Sequence, residues 1–392
     1  MQTKLPRSAQ RAARVIRFTP GITRGDLAKK LGVSVTTVNP VVATLIDLDM
    51  VMERESDRNG SAGIGRPRAG LEYTGNRDTL GTIVWSHGVL DIALVAFDNS
   101  ILWRERTFIE SHPSGDEVIA AAETLFETAR QQPLVNEPFA LVLGLPAPYE
   151  RGVGLGGILY DSDTANQYAH WFTGDPLRIL SERFNVPVLV ENDANLGALG
   201  ETRHGAGRDQ KCVIYVKLSG HGIGSGITIH GGLFGGSHGF AGEIAHVRVD
   251  DQSQTICVCG SRGCLEEKLG AAMLQPLRQT YGSDVTYERL LELIESDAAG
   301  PVRIIEDAGR TVGRALADMS TYLNPSLIVL DAGSPAATDI FKSGVAEQIA
   351  QSAPPFIRHT LSLVATDTGD AAPLLGAIEI ARAASIGNLK KT

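Results

Sequence analysis

Ten residues separate His246 from Cys257-Val-Cys-Gly-Ser-Arg-Gly-Cys264-Leu-Glu266, and this stretch decides how the rest of the chain is read. Three Cys and one His form a closed set, the usual composition of a structural zinc site. The Cys257-X-Cys259 and Cys259-Gly-X-X-Gly-Cys264 spacings let the chain fold around one ion, with Gly permitting the tight turns. The ligands expected for Zn2+ are therefore His246, Cys257, Cys259 and Cys264. No open coordination position is implied, so the metal is expected to lock a loop and orient His246 and Glu266 rather than to act on substrate. The fourth cysteine, Cys212, stands alone and reads as a core residue.

The remainder of the sequence sets the context. The chain has 392 residues and a mass of about 42 kDa, enough for two or three domains. Apolar residues make up 43% and charged residues 21%, an ordinary globular balance that excludes wholesale disorder. No uncharged apolar run is long enough to span a bilayer, so no membrane association is expected. The start, Met1-Gln-Thr-Lys-Leu-Pro-Arg-Ser, has no apolar core of a signal peptide, so a cytoplasmic location is expected. In that compartment an odd cluster of three Cys reads as metal ligands, not disulfides. The net charge of −9 discourages a nucleic-acid reading until it is divided. Residues 1–75 carry 12 basic and 7 acidic side chains, a net of +5, whereas residues 76–392 carry −14. A basic amino-terminal module on an acidic body points to nucleic acid at one end.

That module is legible residue by residue. Thr23 can N-cap a short helix, with Asp26 three positions on in a capping-box-like arrangement and Leu27, Ala28 and Leu31 as its apolar stripe. Gly32 ends it in a tight turn. Ser34 then caps a second helix with Val38, Val41, Val42 and Leu45 inward. Helix, Gly turn and Ser-capped helix make a helix-turn-helix, whose second helix enters the major groove of double-stranded DNA. Thr36, Thr37 and Asn39 near its start are the expected DNA contacts, and Arg24 and Lys29-Lys30 are expected at phosphates or on a solvated face. Pro40 removes one hydrogen bond inside that helix, so a kink without loss of the helix is expected. Met50-Val-Met-Glu-Arg and Leu71-Glu-Tyr fit two short strands, which makes the module winged. Its loop holds Gly65-Arg66-Pro-Arg68, an extended stretch that suits a narrow minor groove.

From about residue 80, strand-like and helical runs alternate, which argues α/β. Strands are expected at Thr82–Trp85, Ile92–Phe97, Ala140–Leu143, Val188–Val190, Val213–Lys217, Gly226–Ile229, His246–Val249 and Leu327–Leu330. Helices are expected near Val118–Arg130, Leu265–Gly270, Tyr287–Ser296, Val302–Leu323 and Leu374–Ala384. Two α/β lobes with a break near residue 200 fit this order. The expected domains are 1–75 (winged helix-turn-helix), 76–200 (first lobe) and 201–392 (second lobe, with the zinc site).

Asn192-Asp-Ala-Asn195, Gly222-Ile-Gly-Ser-Gly226, Ala241-Gly-Glu-Ile-Ala-His246 and the Cys motif ending in Leu-Glu266 follow one another along the body. In this order they resemble the ROK family, named for repressors, open reading frames and sugar kinases. Gly144-Leu-Pro-Ala-Pro148, Trp171 before Gly174, Asn324-Pro and Gly369-Asp also fit. The resemblance covers nearly the whole chain; the Cys motif is highly specific, whereas Gly-Ile-Gly-X-Gly alone is weak. It implies a two-lobed, actin-like, ribonuclease-H-type fold with a sugar in the interlobe cleft. It implies sugar contacts from Asn192, Asp193, Glu243, His246 and Glu266, with Asp193 at the position of the kinases' general base. Such groups suit a ring of hydroxyls, each both donor and acceptor. His246 is expected to ligate the metal through one ring nitrogen and offer the other to the sugar.

The departures from the kinases carry the functional expectation. Kinases of the family open the body with a strand ending in Asp-X-Gly-Gly-Thr, whose Asp engages metal-bound phosphate. Here Leu80-Gly-Thr-Ile-Val-Trp-Ser-His-Gly has no Asp, and Trp85 stands near the glycine position. His221 replaces the Thr of the second phosphate loop. Asp331, in Leu330-Asp-Ala-Gly-Ser, would repel a nucleotide phosphate, and the usual Glu-X-Gly-His reads Glu243-Ile-Ala-His. Phosphoryl transfer depends on positioning and charge neutralisation, so binding is expected to outlast catalysis. The expectation is a sugar-responsive transcriptional regulator, a repressor, with no catalytic residues in use. A homodimer or dimer of dimers would bind an operator, with a sugar or sugar phosphate as effector. The alternatives are an ATP-dependent sugar kinase carrying a DNA module, and a regulator that answers a protein partner instead of a sugar.

Overall fold

A computed structural model describes residues 7–385 apart from 18, 55–68, 75–78, 87, 97–99, 110–114, 132–137, 139, 151–153, 156–175 and 258. The amino-terminal module has helices α1 (Arg7–Arg17), α2 (Arg24–Leu31) and α3 (Val35–Asp47) and strands β1 (Val51–Arg54) and β2 (Gly70–Tyr73). The strands pair antiparallel from Val51↔Tyr73 to Arg54↔Gly70. The local signals act as read. Thr23 Oγ1 accepts from the Asp26 N–H, Gly32 closes α2 at φ 71°, and Ser34 accepts from the Thr37 N–H. Leu27, Val42, Leu45 and Leu71 are fully buried together with Ile16. At about 1.5–3 kcal/mol each, these side chains hold a module of this size together. α3 runs unbroken through Pro40. Arg66 and Arg68 lie outside the described residues.

The body contains two five-stranded sheets built on one plan. The first comprises β3 (Thr79–Ser86), β4 (Val89–Ala96), β5 (Ile101–Phe108), β6 (Leu141–Leu145) and β9 (Val188–Asn192), in the order β5-β4-β3-β6-β9. Helix α4 (Gly115–Arg130) lies between β5 and β6 in the chain, and α5 (Pro176–Phe184) leads into β9. The small hairpin β7 (Tyr149–Glu150) and β8 (Gly154–Leu155) is a separate pair. The second sheet is ordered β12-β11-β10-β13-β14, from β10 (Cys212–Ser219), β11 (Gly222–Ile229), β12 (Gly232–Leu233), β13 (Leu327–Asp331) and β14 (Ser362–Ala365). In each sheet, three strands meander antiparallel and two further strands add in parallel. The central strands are buried along most of their length, which is why their sequences read as apolar runs.

Two helices join the sheets. α6 (Asp193–His204) follows the last strand of the first sheet yet packs on β10 and β11 of the second. The second sheet is bordered by α7 (Ala271–Tyr281), α8 (Tyr287–Glu295), α9 (Ala299–Leu323), α10 (Pro335–Ser352) and the single turn α11 (Pro355–Arg358). α12 (Ala372–Ser385) follows the last strand of the second sheet and packs on β3 and β6 of the first. α6 and α12 also touch one another, and glycine makes this possible. A Cβ on Gly200 would lie 2.1 Å from the Ala372 carbonyl oxygen, and one on Gly376 1.9 Å from that of Leu196. Residue 200, the break expected from sequence, lies inside α6.

Several expectations need correction. His246–Val249 is not a strand: Ile244–His246 is a 3-10 turn, and Arg248 forms only an isolated bridge to Cys264. The chain bends there because Gly242, at φ 98°, packs where a Cβ would meet the Ser225 carbonyl oxygen at 3.0 Å. Leu265–Gly270 is a 3-10 turn over Leu265–Lys268 rather than an α-helix. Sequence reading missed β5 and β14, both edge strands. In β5, Arg104-Glu-Arg106 hides the pattern, as charges on exposed edges do. It also missed α5, α7 and α10.

Candidate functional site

The candidate cleft forms where β9 passes into α6. Asn192 caps the helix, its Oδ1 accepting from the Ala194 and Asn195 N–H groups at 2.9 and 3.1 Å, and its Nδ2 donates to Ala147 O at 3.3 Å. The residue expected to touch sugar is thus first a cap. Asp193 occupies the first helical turn, where the helix dipole favours a carboxylate, and is 4% exposed. Its Oδ2 accepts from Ser86 Oγ at 2.7 Å and lies 3.5 Å from Lys217 Nζ. Lys217 also donates to Ser86 Oγ at 2.5 Å. Ser86 ends β3 and Lys217 lies in β10, so this group spans the two sheets. Sequence reading missed both residues. A lysine inside the apolar strand Cys-Val-Ile-Tyr-Val-Lys-Leu was the available signal.

Glu243 lies near Asp193 and Glu266, on the side of the Cys-rich loop. Burial raises the Glu243 carboxyl to about 7, helped by the nearby Asp193, Glu191 and Glu266 carboxylates. Among the described residues, no protein group donates a hydrogen bond to it. Burial also raises Glu266 to about 7, against a counteracting backbone N–H of Ile223 at 3.4 Å. Gly222, at φ 133°, makes room for Glu266, since a Cβ there would fall 2.1 Å from its carboxylate. Two half-buried carboxyls with raised pKa values thus lie near one paired carboxylate. Hydroxyl groups that donate to them would complete the set.

The ligand atoms of His246, Cys257, Cys259 and Cys264 lie within 4.8 Å of one another. His246 Nδ1 is 3.6 Å from Cys257 Sγ, and Cys259 Sγ is 3.6 Å from Cys264 Sγ. A tetrahedral ion with bonds of about 2.3 Å to sulfur and 2.0 Å to nitrogen places its ligands roughly 3.5–3.8 Å apart, so the spacing fits. The chemistry fits too. Burial lowers the His246 pKa, which favours the neutral, ligating imidazole. Burial pushes the Cys264 thiol up to about 12 and raises Cys257, so these thiols need a cation to become thiolates. Four residues that could hold a metal are therefore gathered as the sequence implied. The 3-10 turn places Glu243 three residues before His246, and Glu266 follows Cys264 by two, so the metal loop and the carboxyls are one unit.

Beyond Lys217 lies a cavity of about 190 Å³ bordered by Ser86, Asp91, His221, Tyr287, Asp331 and Gly333. It is smaller than the roughly 300–1,000 Å³ of ordinary small-molecule sites. Of the four acids that line it, Asp331, Asp91 and Asp370 have partners. Asp331 accepts from Tyr215 OH at 3.0 Å and from the Gly333 N–H at 2.9 Å. Asp91 takes a bidentate pair from Arg104 at 2.9 and 2.5 Å, and Asp370 pairs with Arg106.

In the amino-terminal module, Thr36, Thr37 and Asn39 are all exposed on α3, as expected. The Thr36 and Thr37 hydroxyls bond to Ser34 Oγ at 2.6 and 2.8 Å. Arg24 is not a free cation: it pairs with Glu53 at 2.9 Å and reaches Asn39 O and Oδ1 at 3.3 and 3.4 Å.

Comparison with known proteins agrees with this architecture. The xylose repressor of Bacillus spizizenii is 26% identical over 361 residues, covering 91% of this chain and 89% of its own length. The glucokinase of Thermotoga maritima is 27% identical over 311 residues, but it covers 74% of this chain against 92% of its own. A solved ROK family transcriptional regulator, described as a homologue of the Escherichia coli Mlc protein, superposes with a TM-score of 0.66 at 23% identity, covering 97% of this chain and 96% of that one. The ROK family profile matches residues 88–384. The chain is a member of the ROK family.

Proposed function

We propose that this protein is a sugar-responsive, DNA-binding transcriptional regulator, a repressor, with the sugar or sugar phosphate held between the lobes. The observation that carries the reading is Glu243, a half-buried carboxyl beside Asp193 and Glu266 to which no described protein group donates a hydrogen bond. Such a group is costly unless a ligand completes it. Asp193, Glu266, His246 and, beyond its capping role, Asn192 are the other proposed contacts. The amino-terminal module supplies the output as a winged helix-turn-helix, with Thr36, Thr37 and Asn39 at the groove and Arg66 and Arg68 in the wing. A homodimer or dimer of dimers in the cytoplasm would place one α3 per half-site. Residues 1–75, 76–200 and 201–392 serve as DNA-binding domain, first lobe and second lobe, with α12 returning to the first.

The metal proposed for His246, Cys257, Cys259 and Cys264 is zinc in a structural role. When bound, it would supply cross-linking charge that keeps the carboxyl-bearing loop folded. Kinase chemistry is proposed to be lost, a reading supported by Asp331, Asp91 and Asp370 on the far side of the cleft being paired within the protein. A second reading, an ATP-dependent sugar kinase, is favoured by Asp193 at the general-base position and by the glucokinase similarity of the body. A coupled ADP-release assay over a hexose and pentose panel separates the two. Turnover that Asp193→Asn abolishes would establish the kinase. A thermal-shift screen over the same panel tests the effector, since a ligand that binds the native state raises the melting temperature.

A further inference from the structure

Lys217 is where the two halves of the cleft meet. Its stem rises from β10 of the second sheet, and its ammonium donates to Ser86 Oγ, on β3 of the first sheet, at 2.5 Å. Ser86 passes the polarity on, its O–H donating to Asp193 Oδ2 at 2.7 Å, while the ammonium itself lies 3.5 Å from that oxygen. Hydrogen bonds to ionised groups are the strong ones, and a part-buried chain of them strengthens cooperatively. Lys217 and Ser86 also line the cavity on the far side, alongside His221 and Asp331. A phosphoryl donor acting on a hydroxyl held by Asp193 would have to bring its phosphorus within about 3.5 Å of that hydroxyl. The Lys217 ammonium and Ser86 hydroxyl stand between Asp193 and that cavity.

We propose that Lys217 is an internal cation that ties the two lobes together through Ser86 and positions Asp193 for the sugar, with no nucleotide required. The sugar part of this inference rests on the reading above, whereas the tie between lobes does not. Lys217 is a positioning residue. A sugar hydroxyl that donates to Asp193 joins Ser86 on a carboxylate that can accept several hydrogen bonds, so occupancy of the site and the link between lobes are coupled through one side chain. That coupling gives an effector different affinities for the tied and untied states, as any ligand-driven switch requires.

The test uses the full chain as wild type, Lys217→Met, Lys217→Arg and Ser86→Ala. Methionine keeps the length of the stem and removes the charge; arginine keeps the charge. Without any ligand, hydrogen–deuterium exchange at the cleft ends of β3 and β10 should rise at least tenfold in Lys217→Met and return to within about threefold of wild type in Lys217→Arg. Unchanged exchange in Lys217→Met, or equal acceleration in both variants, would overturn the tie. Calorimetry with D-xylose and D-glucose forms the second arm. Whichever sugar wild type binds should bind Lys217→Met at least tenfold more weakly, Ser86→Ala several-fold more weakly, and Lys217→Arg nearly normally. Equal affinity in wild type and Lys217→Met would overturn the positioning role. If wild type binds neither sugar, that result counts against these two effectors, and the exchange arm decides the role of Lys217 by itself.

Discussion

The two sides of the cleft treat their acids in opposite ways. On the metal-loop side, Glu243 and Glu266 are raised to about 7 by burial, and Glu243 has no protein donor among the described residues. On the far side, Asp331 has Tyr215 and a backbone N–H, Asp91 has Arg104, and Asp370 has Arg106. One side leaves acceptors open to a ligand rich in donors; on the other, Asp331, Asp91 and Asp370 are paired within the protein. Glu243 and Glu266 stand at 3-10 turns beside the four candidate metal ligands, whereas Asp91 and Asp331 lie in β4 and β13, strands of the two different sheets.

The comparison breaks most visibly at the metal loop. Stripping the metal, or Cys259→Ser, should lower the melting temperature by about 10 °C and abolish sugar binding, because structural zinc contributes binding free energy directly to folding. Calorimetric melting with and without a chelator measures this, and an unchanged melt after verified metal removal refutes the structural role. Next in size is a pair of substitutions, one on each side. Glu243→Ala should weaken sugar binding about 100-fold, or about 2.7 kcal/mol, with little loss of stability. Asp331→Ala should do the reverse, costing about 1–3 kcal/mol of stability by stranding its buried donors while sugar affinity stays within about threefold. If both substitutions act alike on binding, the two sides are not distinct.

Acidity sharpens the comparison further. Hydroxyls that donate to Glu243 and Glu266 favour their ionised forms, so binding releases protons. Sugar affinity should therefore rise by up to about tenfold between pH 6 and pH 8, through the folded values near 7. The stability effect has the opposite sign. Unfolded carboxyls ionise near 4.5 while the folded ones stay protonated, so these groups favour the folded state at low pH, and that contribution is lost as pH rises from about 4.5 to 7. Isothermal titrations in buffers of different ionisation enthalpy would read the proton release, and a pH-independent affinity would contradict it. The smallest expected effect is in the DNA module, where Ser34→Ala removes the α3 cap and should cost about 1 kcal/mol without touching the cleft.

Local chemistry was the most legible part of the sequence. The caps of α2 and α3 and the Cys3His set depend on residues close together in the chain, and the structure places all of them as read. The central strands announced themselves as apolar runs, while β5 and β14 did not, because edge strands face solvent and carry charge or stay short. The crossed packing of α6 and α12 could not be seen either. It rests on Gly200 and Gly376 approaching the backbones of Ala372 and Leu196, far away in the chain, and a glycine does not state its partner. Within the cleft, Asp193, Glu243 and Glu266 came from the family resemblance. Ser86 and Lys217 escaped notice because their role exists only where two sheets meet. Asp331 was read as a charge hostile to phosphate; its pairing with Tyr215 shows a buried structural acid as well.

The central claim joins an effector site to a DNA-binding output, and fluorescence anisotropy with the full chain tests it most directly. Labelled DNA from upstream of the protein's own coding region would be titrated with wild type and Glu243→Ala, with and without each sugar of a pentose, hexose and sugar-phosphate panel. The account predicts salt-dependent DNA binding by both proteins and at least a tenfold change in wild-type affinity with one sugar. Glu243→Ala should bind the DNA and ignore that sugar. DNA binding that no sugar alters, or a response that persists in Glu243→Ala, would contradict it.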